Sequence, residues 1–178
     1  MALQNLRTYF QSTNINDFNS MLKLTCVVSE KIQASSFHVK STSTGYEYFK
    51  SGSKHKMDKV DRTMVRYYEN GINYFKAIPK DVKEDMPHDW KFGFDYMIDN
   101  KTVDIEYESL PKNHLILTHI QILNPKNPTQ IKKVIRDPQI LNKWAELLGV
   151  QKPPVIFQGV LQSNQKDDLI RLLELSDS

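Results

Sequence analysis

The hydrophobic positions change period several times along the chain, and each change marks an element. Leu3, Leu6 and Phe10, then Phe18, Met21 and Leu22, recur at helical spacing, which predicts helices over 3–10 and 16–23 with a polar turn at 13–16. From Leu24 to Ile32 the run turns to β-branched residues and predicts a strand. A hairpin follows. Residues 36–40 and 46–50 form its arms, with Phe37 and Val39 facing one way and His38 and Lys40 the other, and Ser-Thr-Ser-Thr-Gly joins them. Gly45 supplies the positive φ such a turn needs. Val60, Met64, Tyr67 or Tyr68, Ile72, Phe75 and Ile78 make a helical stripe over 60–78. Pro79 stops it, and Asn70-Gly71 is a point where it can break.

Beyond a charged loop at 79–89, strands are expected over 91–98, 102–107 and 114–123, the last apolar enough to lie inside a sheet. A Pro/Asn turn covers 124–129, and one or two helices cover 130–148, split near Asp137-Pro138 and ended by Gly149. Val155 to Phe157 reads as a short buried strand, and Ser163 as the N-cap of a last helix carrying Leu169, Leu172 and Leu173. The pattern has no repeat, low-complexity tract or linker. It predicts one α+β domain over 1–178, with a mainly antiparallel sheet and flanking helices.

Composition adds limits. A chain of 178 residues with 39% hydrophobic and 25% charged residues can build a proper core. Its net charge of +3 permits contact with nucleic acid without arguing for it. The single cysteine, Cys26, excludes an internal disulfide, fits a reducing compartment and reads as a buried thiol in the apolar run 24–28. The N-terminus is too polar for a signal peptide, and no apolar run approaches the about 20 residues of a membrane span, so no membrane partner is expected. Histidines 38, 55, 88, 114 and 119 are scattered. His114 and His119, five apart on the expected strand, point to opposite faces, and no metal site is expected.

Two groups of residues carry candidate chemistry. Lys31 stands at the end of the first strand, ahead of a small-residue turn. Lys50, Lys54, His55, Lys56, Lys59 and Arg62 form a basic cluster beside Tyr46, Tyr48 and Phe49, which could hold nucleic-acid phosphates with aromatics for stacking, or be a solvated surface. Lys126, Lys132, Lys133 and Arg136 read as the exposed face of a helix, and Asp104, Glu106 and Glu108 as a polar strand face. Phe92, Phe94 and Tyr96 occupy alternate strand positions, as core aromatics or a purine platform would.

In this order, Glu30-Lys31-Ile32-Gln33-Ala34-Ser35-Ser36-Phe37, Lys50-Ser51-Gly52, Phe92-Gly93-Phe94-Asp95-Tyr96 and the apolar strand 115–122 resemble the motifs of the ATP-dependent RNA and DNA ligases and capping enzymes. The RNA-ligase-like proteins of bacteriophages are the nearest likeness. The segment 147–159 with the Leu-rich stretch after it is similar to the spacer those ligases carry next. The resemblance implies a ligase-like nucleotidyltransferase core. Lys31 would be the nucleophile toward ATP, and Glu30, Phe37, Lys50, Phe92, Phe94 and Asp95 would line the nucleotide site. Mg²⁺ would offset phosphate charge. Apart from the resemblance, Lys54, Lys56, Lys59 and Arg62 of the basic cluster are the candidates for contact with nucleic acid. The resemblance also implies a cytoplasmic location, the host's if phage-encoded. Two departures stand in the first motif: Gln33 replaces an aspartate and brings no negative charge, and Ala34 replaces a glycine. The family's later Glu-Gly-x-Val and Lys-x-Lys strands have no counterpart before Ser178, so the core is expected to be its N-terminal part, incomplete at the C-terminal end. The alternatives are a non-catalytic member that binds nucleic acid or a host protein, and a half-core completed by a partner protein.

Overall fold

Alternation at 35–50 produces the hairpin that organises the sheet. In the computed structural model, which describes residues 25–29, 32–50, 55–57, 62–99 and 107–160, strands β2 (Ser35–Thr42) and β3 (Gly45–Lys50) pair antiparallel with Thr42 opposite Gly45. Only Ser43 and Thr44 turn the chain, and Gly45 takes φ 154°, a backbone angle that L side chains avoid. Strand β1 (Thr25–Ser29) precedes the hairpin, and the two-residue β4 (His55–Lys56) adds to β3.

The stripe of 60–78 forms two helices, α1 (Arg62–Tyr67) and α2 (Glu69–Ala77). The break falls at Tyr68, where ψ opens to 18°, and not at Asn70-Gly71. Gly71 lies inside α2, with the Phe37 and Tyr96 rings packed where a Cβ would stand. The expected loop after Pro79 contains a short helix α3 (Lys80–Asp85), which bears the exposed Lys80–Glu84 pair one turn apart.

Strands β5 (Trp90–Tyr96), β6 (Leu115–Asn124) and β7 (Asn127–Ile135) follow, then helix α4 (Pro138–Leu148) and strand β8 (Val155–Val160). Strand β7 corrects the expectation of helix from Gln130. Thr129, Ile131, Val134 and Ile135 are β-branched, and pairing with the apolar β6 outweighs the helix propensity of Lys132-Lys133. Asp137-Pro138 is nevertheless the boundary: the Asp137 carboxylate accepts the amide hydrogens of Gln139 and Ile140 and caps α4, which ends at Gly149 in the left-handed region.

The described residues fall into two compact units. One contains the antiparallel ladder of β1 and β8, which pairs Thr25 with Val160 and Ser29 with Val155. Of the buried strand expected over 155–157, Val155 is exposed. The other unit, Gln33–Lys152, holds an antiparallel sheet in the order β4-β3-β2-β5-β6-β7. The fold is α+β, and β6 lies inside the sheet as expected. Helices expected over 3–10, 16–23 and after Ser163, and the strand expected from 102, lie outside the described residues, apart from Tyr107 at the strand's end, which is in an irregular segment.

One face of the six-stranded sheet packs the core. Phe37, Val39, Phe92, Phe94, Tyr96, Leu115, Leu117 and Ile120 are fully buried there with Ile72 and Phe75 of α2 and Leu141, Ala145 and Leu148 of α4. Phe37 is its hub, with ring centroids 5.3 Å from Tyr68, 5.9 Å from Tyr48 and Tyr96, and 6.3 Å from Phe94. Tyr74 of α2 donates to the Leu148 carbonyl at the end of α4.

Candidate polar site on the second sheet face

Residues directly opposite one another in antiparallel strands share a face, so the pairing registers build this site. The first row is Phe49, His38, Gly93 and His119, from β3, β2, β5 and β6. On one side of it lie Lys40, Lys91 and Gln121, with Glu47 opposite Lys40; on the other lie Ser36, Asp95 and Ile116. Unlike an ordinary solvated sheet face, its centre is buried. His38 is 2% exposed, Lys91 5% and Gln121 7%. The Lys91 ammonium stands 3.9 Å from the centre of the Phe49 ring, a cation–π contact. Burial and the neighbouring Lys40 lower the Lys91 pKa, against the pull of Glu47.

Gly93 lets the two imidazoles meet. With no side chain between them, His38 Nε2 lies 3.3 Å from His119 Nε2. A Cβ at position 93 would stand 2.3 Å from His119 Cε1. The hydrogen bonds assign the protons. The Thr118 hydroxyl donates to the Gly93 carbonyl at 3.1 Å, so it accepts from His119 Nδ1–H at 2.9 Å. His119 Nε2 is therefore a lone pair, and it accepts from His38 Nε2–H and from the Gln121 amide at 3.1 Å. His38 Nδ1 in turn accepts from the Ser36 hydroxyl at 3.3 Å. Burial holds both rings neutral: with His119 and Lys91 adding to it, His38 falls to about 3, and with Arg136 adding to it, His119 falls to about 4. Ser36, His38 and His119 thus repeat the nucleophile–base–orienter order of a hydrolase triad. An imidazole lowered that far is too weak a base near neutrality to activate a serine.

The structure distributes the residues singled out in the sequence over different places. Phe37, Phe92 and Phe94 are core aromatics on the apolar face, while Asp95 is on the opposite, polar face. Lys50 pairs with Phe37 at the end of β3 and is partly exposed. Tyr46, Tyr48 and Phe49 are not free for stacking. Tyr46 packs on Phe75, Tyr48 donates to the Ile72 carbonyl, and Phe49 lies under Lys91. Lys56 stands in β4 and Arg62 at the start of α1. Glu30, Lys31, Lys54 and Lys59 lie outside the described residues, as do the side chains of Cys26, Lys56 and Arg62. The second basic group occupies the edge strand β7 and its flanks instead of a helix: residues 127–134, with Lys126 and Arg136, are exposed.

The histidine pair is the feature that sequence reading misses. His114 is not on β6 but before it, at φ 63°, donating from Nδ1 to the Met97 carbonyl at 2.7 Å and accepting from Asn70. A bulge where Gly93 and Phe94 meet His119 and Leu117 then changes the face count along β6. The one visible signal was a glycine between two aromatics in the middle of a strand, which marks a close approach. No protein-family model and no curated protein sequence matches this chain.

Proposed function

We propose that the chain is a ligase-like nucleotidyltransferase domain that binds ATP and adenylylates itself at Lys31. The observation that carries this reading is the register that puts Ser36 opposite Asp95. It makes the end of the lysine motif and the acidic motif strand neighbours, and β3, β2, β5 and β6 lie side by side. Lys40, partly exposed, supplies a cation for phosphate, and Asp95 a carboxylate. Among the described residues no group of three or more His, Cys, Asp or Glu side chains is placed to hold a metal ion. Mg²⁺ would therefore be held mainly by the nucleotide's own phosphates, with Asp95 beside it. In the reaction, the neutral Lys31 amine forms a P–N bond to the α-phosphorus. The bond to the bridging oxygen breaks, pyrophosphate leaves, and the amine loses its proton.

Incubation with α-labelled ATP and Mg²⁺ is expected to leave covalent AMP on the wild-type chain and none on Lys31→Ala. Absence of label on the wild type across metals and pH overturns the catalytic part.

A second reading, a nucleic-acid-binding member, is favoured by β7. Residues 124–136 contain Lys126, Lys132, Lys133 and Arg136 and no acidic residue, and none of the four makes an ion pair among the described residues. Cations without an acidic partner among the described residues, along and beside an exposed strand, suit a phosphate backbone.

A further inference from the structure

We propose that His38, His119 and Gln121 form a site for a single Zn²⁺ ion on the polar face of the sheet. Three separate features of the geometry carry it. The first is the bite of the two imidazoles. Two nitrogens at the Zn–N distance of roughly 2.0–2.1 Å and a tetrahedral angle are about 3.3 Å apart, and His38 Nε2 and His119 Nε2 are separated by 3.3 Å. The ring centroids are 5.2 Å apart. That is less than the nitrogen separation plus the two centroid-to-nitrogen lengths, about 5.6 Å in total for rings meeting head to head. The ring axes are therefore not aligned head to head, and the separation suits two imidazoles converging on one ion.

The second feature is the support behind each ring. Metal-bound imidazoles are held by a hydrogen bond at their other nitrogen. Here Ser36 Oγ lies 3.3 Å from His38 Nδ1, and Thr118 Oγ1 lies 2.9 Å from His119 Nδ1. Thr118 is itself fixed by its bond to Gly93, so His119 already presents its Nε2 lone pair inward. His38 needs only the exchange of one proton between its two nitrogens, after which it donates to Ser36.

The third is Gln121. Its amide oxygen is buried and has no hydrogen-bond partner among the described residues, while its amide nitrogen sits 3.1 Å from His119 Nε2. Rotating the amide by half a turn exchanges its oxygen and nitrogen and turns the oxygen toward the ion, as a third ligand. Two imidazoles and an amide oxygen select a borderline ion such as Zn²⁺ over Mg²⁺, leaving the fourth position to water.

Two charges oppose binding, Lys91 acting on His38 and Arg136 acting on His119, and Arg136, being exposed, supplies a test. Removing it should strengthen the site without disturbing the core.

The experiment is calorimetric titration of the full chain, stripped with EDTA, with zinc chloride, alongside thermal unfolding with and without zinc. The expected result is one saturable ion per chain and a raised unfolding midpoint that EDTA reverses. His119→Gln should weaken the affinity at least about tenfold. His88→Ala, at an exposed histidine in the loop before β5, should leave it unchanged, and Arg136→Gln should tighten it several-fold. No stoichiometric uptake by the wild type overturns the proposal. So does equal affinity in folded His119→Gln, or, should that variant not fold, an Arg136→Gln affinity no tighter than the wild type's. None of these outcomes depends on ATP, so the site stands or falls separately from the nucleotidyltransferase reading.

Discussion

Gly93 carries more of this molecule than a missing side chain suggests. The His119 ring lies over it, held by Thr118, His38 and Gln121, so the ring can yield only by giving up hydrogen bonds. A methyl group at position 93 would sit 2.3 Å from His119 Cε1, far inside contact distance. Either β5 and β6 separate locally or the imidazole leaves its partners. Gly93→Ala is therefore expected to lower stability by about 1–3 kcal/mol, as overpacking does, read as a lower midpoint in urea unfolding. An unchanged midpoint would mean that the His119 ring swings aside at little cost. Little of this was legible beforehand. The alternation Phe92, Phe94, Tyr96 is a local pattern and was readable as one face, but the His38–His119 contact depends on two strand registers and a bulge, none of which a single sequence contains.

At the scale of elements, legibility follows how local the stabilising chemistry is. The hairpin β2–β3 was readable because alternation and the turn glycine both lie within sixteen residues, Ser35 to Lys50. Both ends of α4 were readable for the same reason. Asp137 accepts from Gln139 at 2.9 Å and Ile140 at 3.1 Å, Pro138 starts the helix with φ already restricted, and Gly149 ends it at φ 61°. Strand β7 was not readable, because what makes 127–135 a strand is the ladder offered by β6. The cap can be tested directly. Asp137→Ala removes the acceptor of two amide hydrogens and is expected to cost about 1 kcal/mol, whereas Asp137→Asn should retain most of it. Equal midpoints for Asp137→Ala and the wild type in denaturant melts would show that α4 is held by the packing of Leu141, Ala145 and Leu148 alone.

For the whole molecule, 24 basic against 21 acidic residues leave only +3, too little for a strong general field. Tight binding of a polyanion would have to come from a place where cations gather without acids. The strands expected over 36–40, 46–50, 91–98 and 114–123 were assigned by their patterns to one mainly antiparallel sheet, and β3, β2, β5 and β6 are neighbours in it. The edge cations of β7 could not be placed the same way, since a helical reading spread them over a different surface. With Lys132 and Lys133 on an exposed edge, the nucleic-acid reading makes a quantitative statement about salt. The logarithm of affinity for a single-stranded oligonucleotide falls with the logarithm of salt by about 0.7 per phosphate neutralised. Replacing both lysines by alanine should therefore flatten that slope by about 1.4 if each meets one phosphate. Neither side chain is part of the core, so circular dichroism of the double variant should match the wild type. Fluorescence anisotropy with a labelled oligonucleotide over a salt series measures the slope. A weaker affinity with the same slope would point to a contact that is not ionic, and an unchanged affinity and slope would remove β7 from the interface. The basic cluster of Lys54, Lys56, Lys59 and Arg62 would then be the remaining candidate.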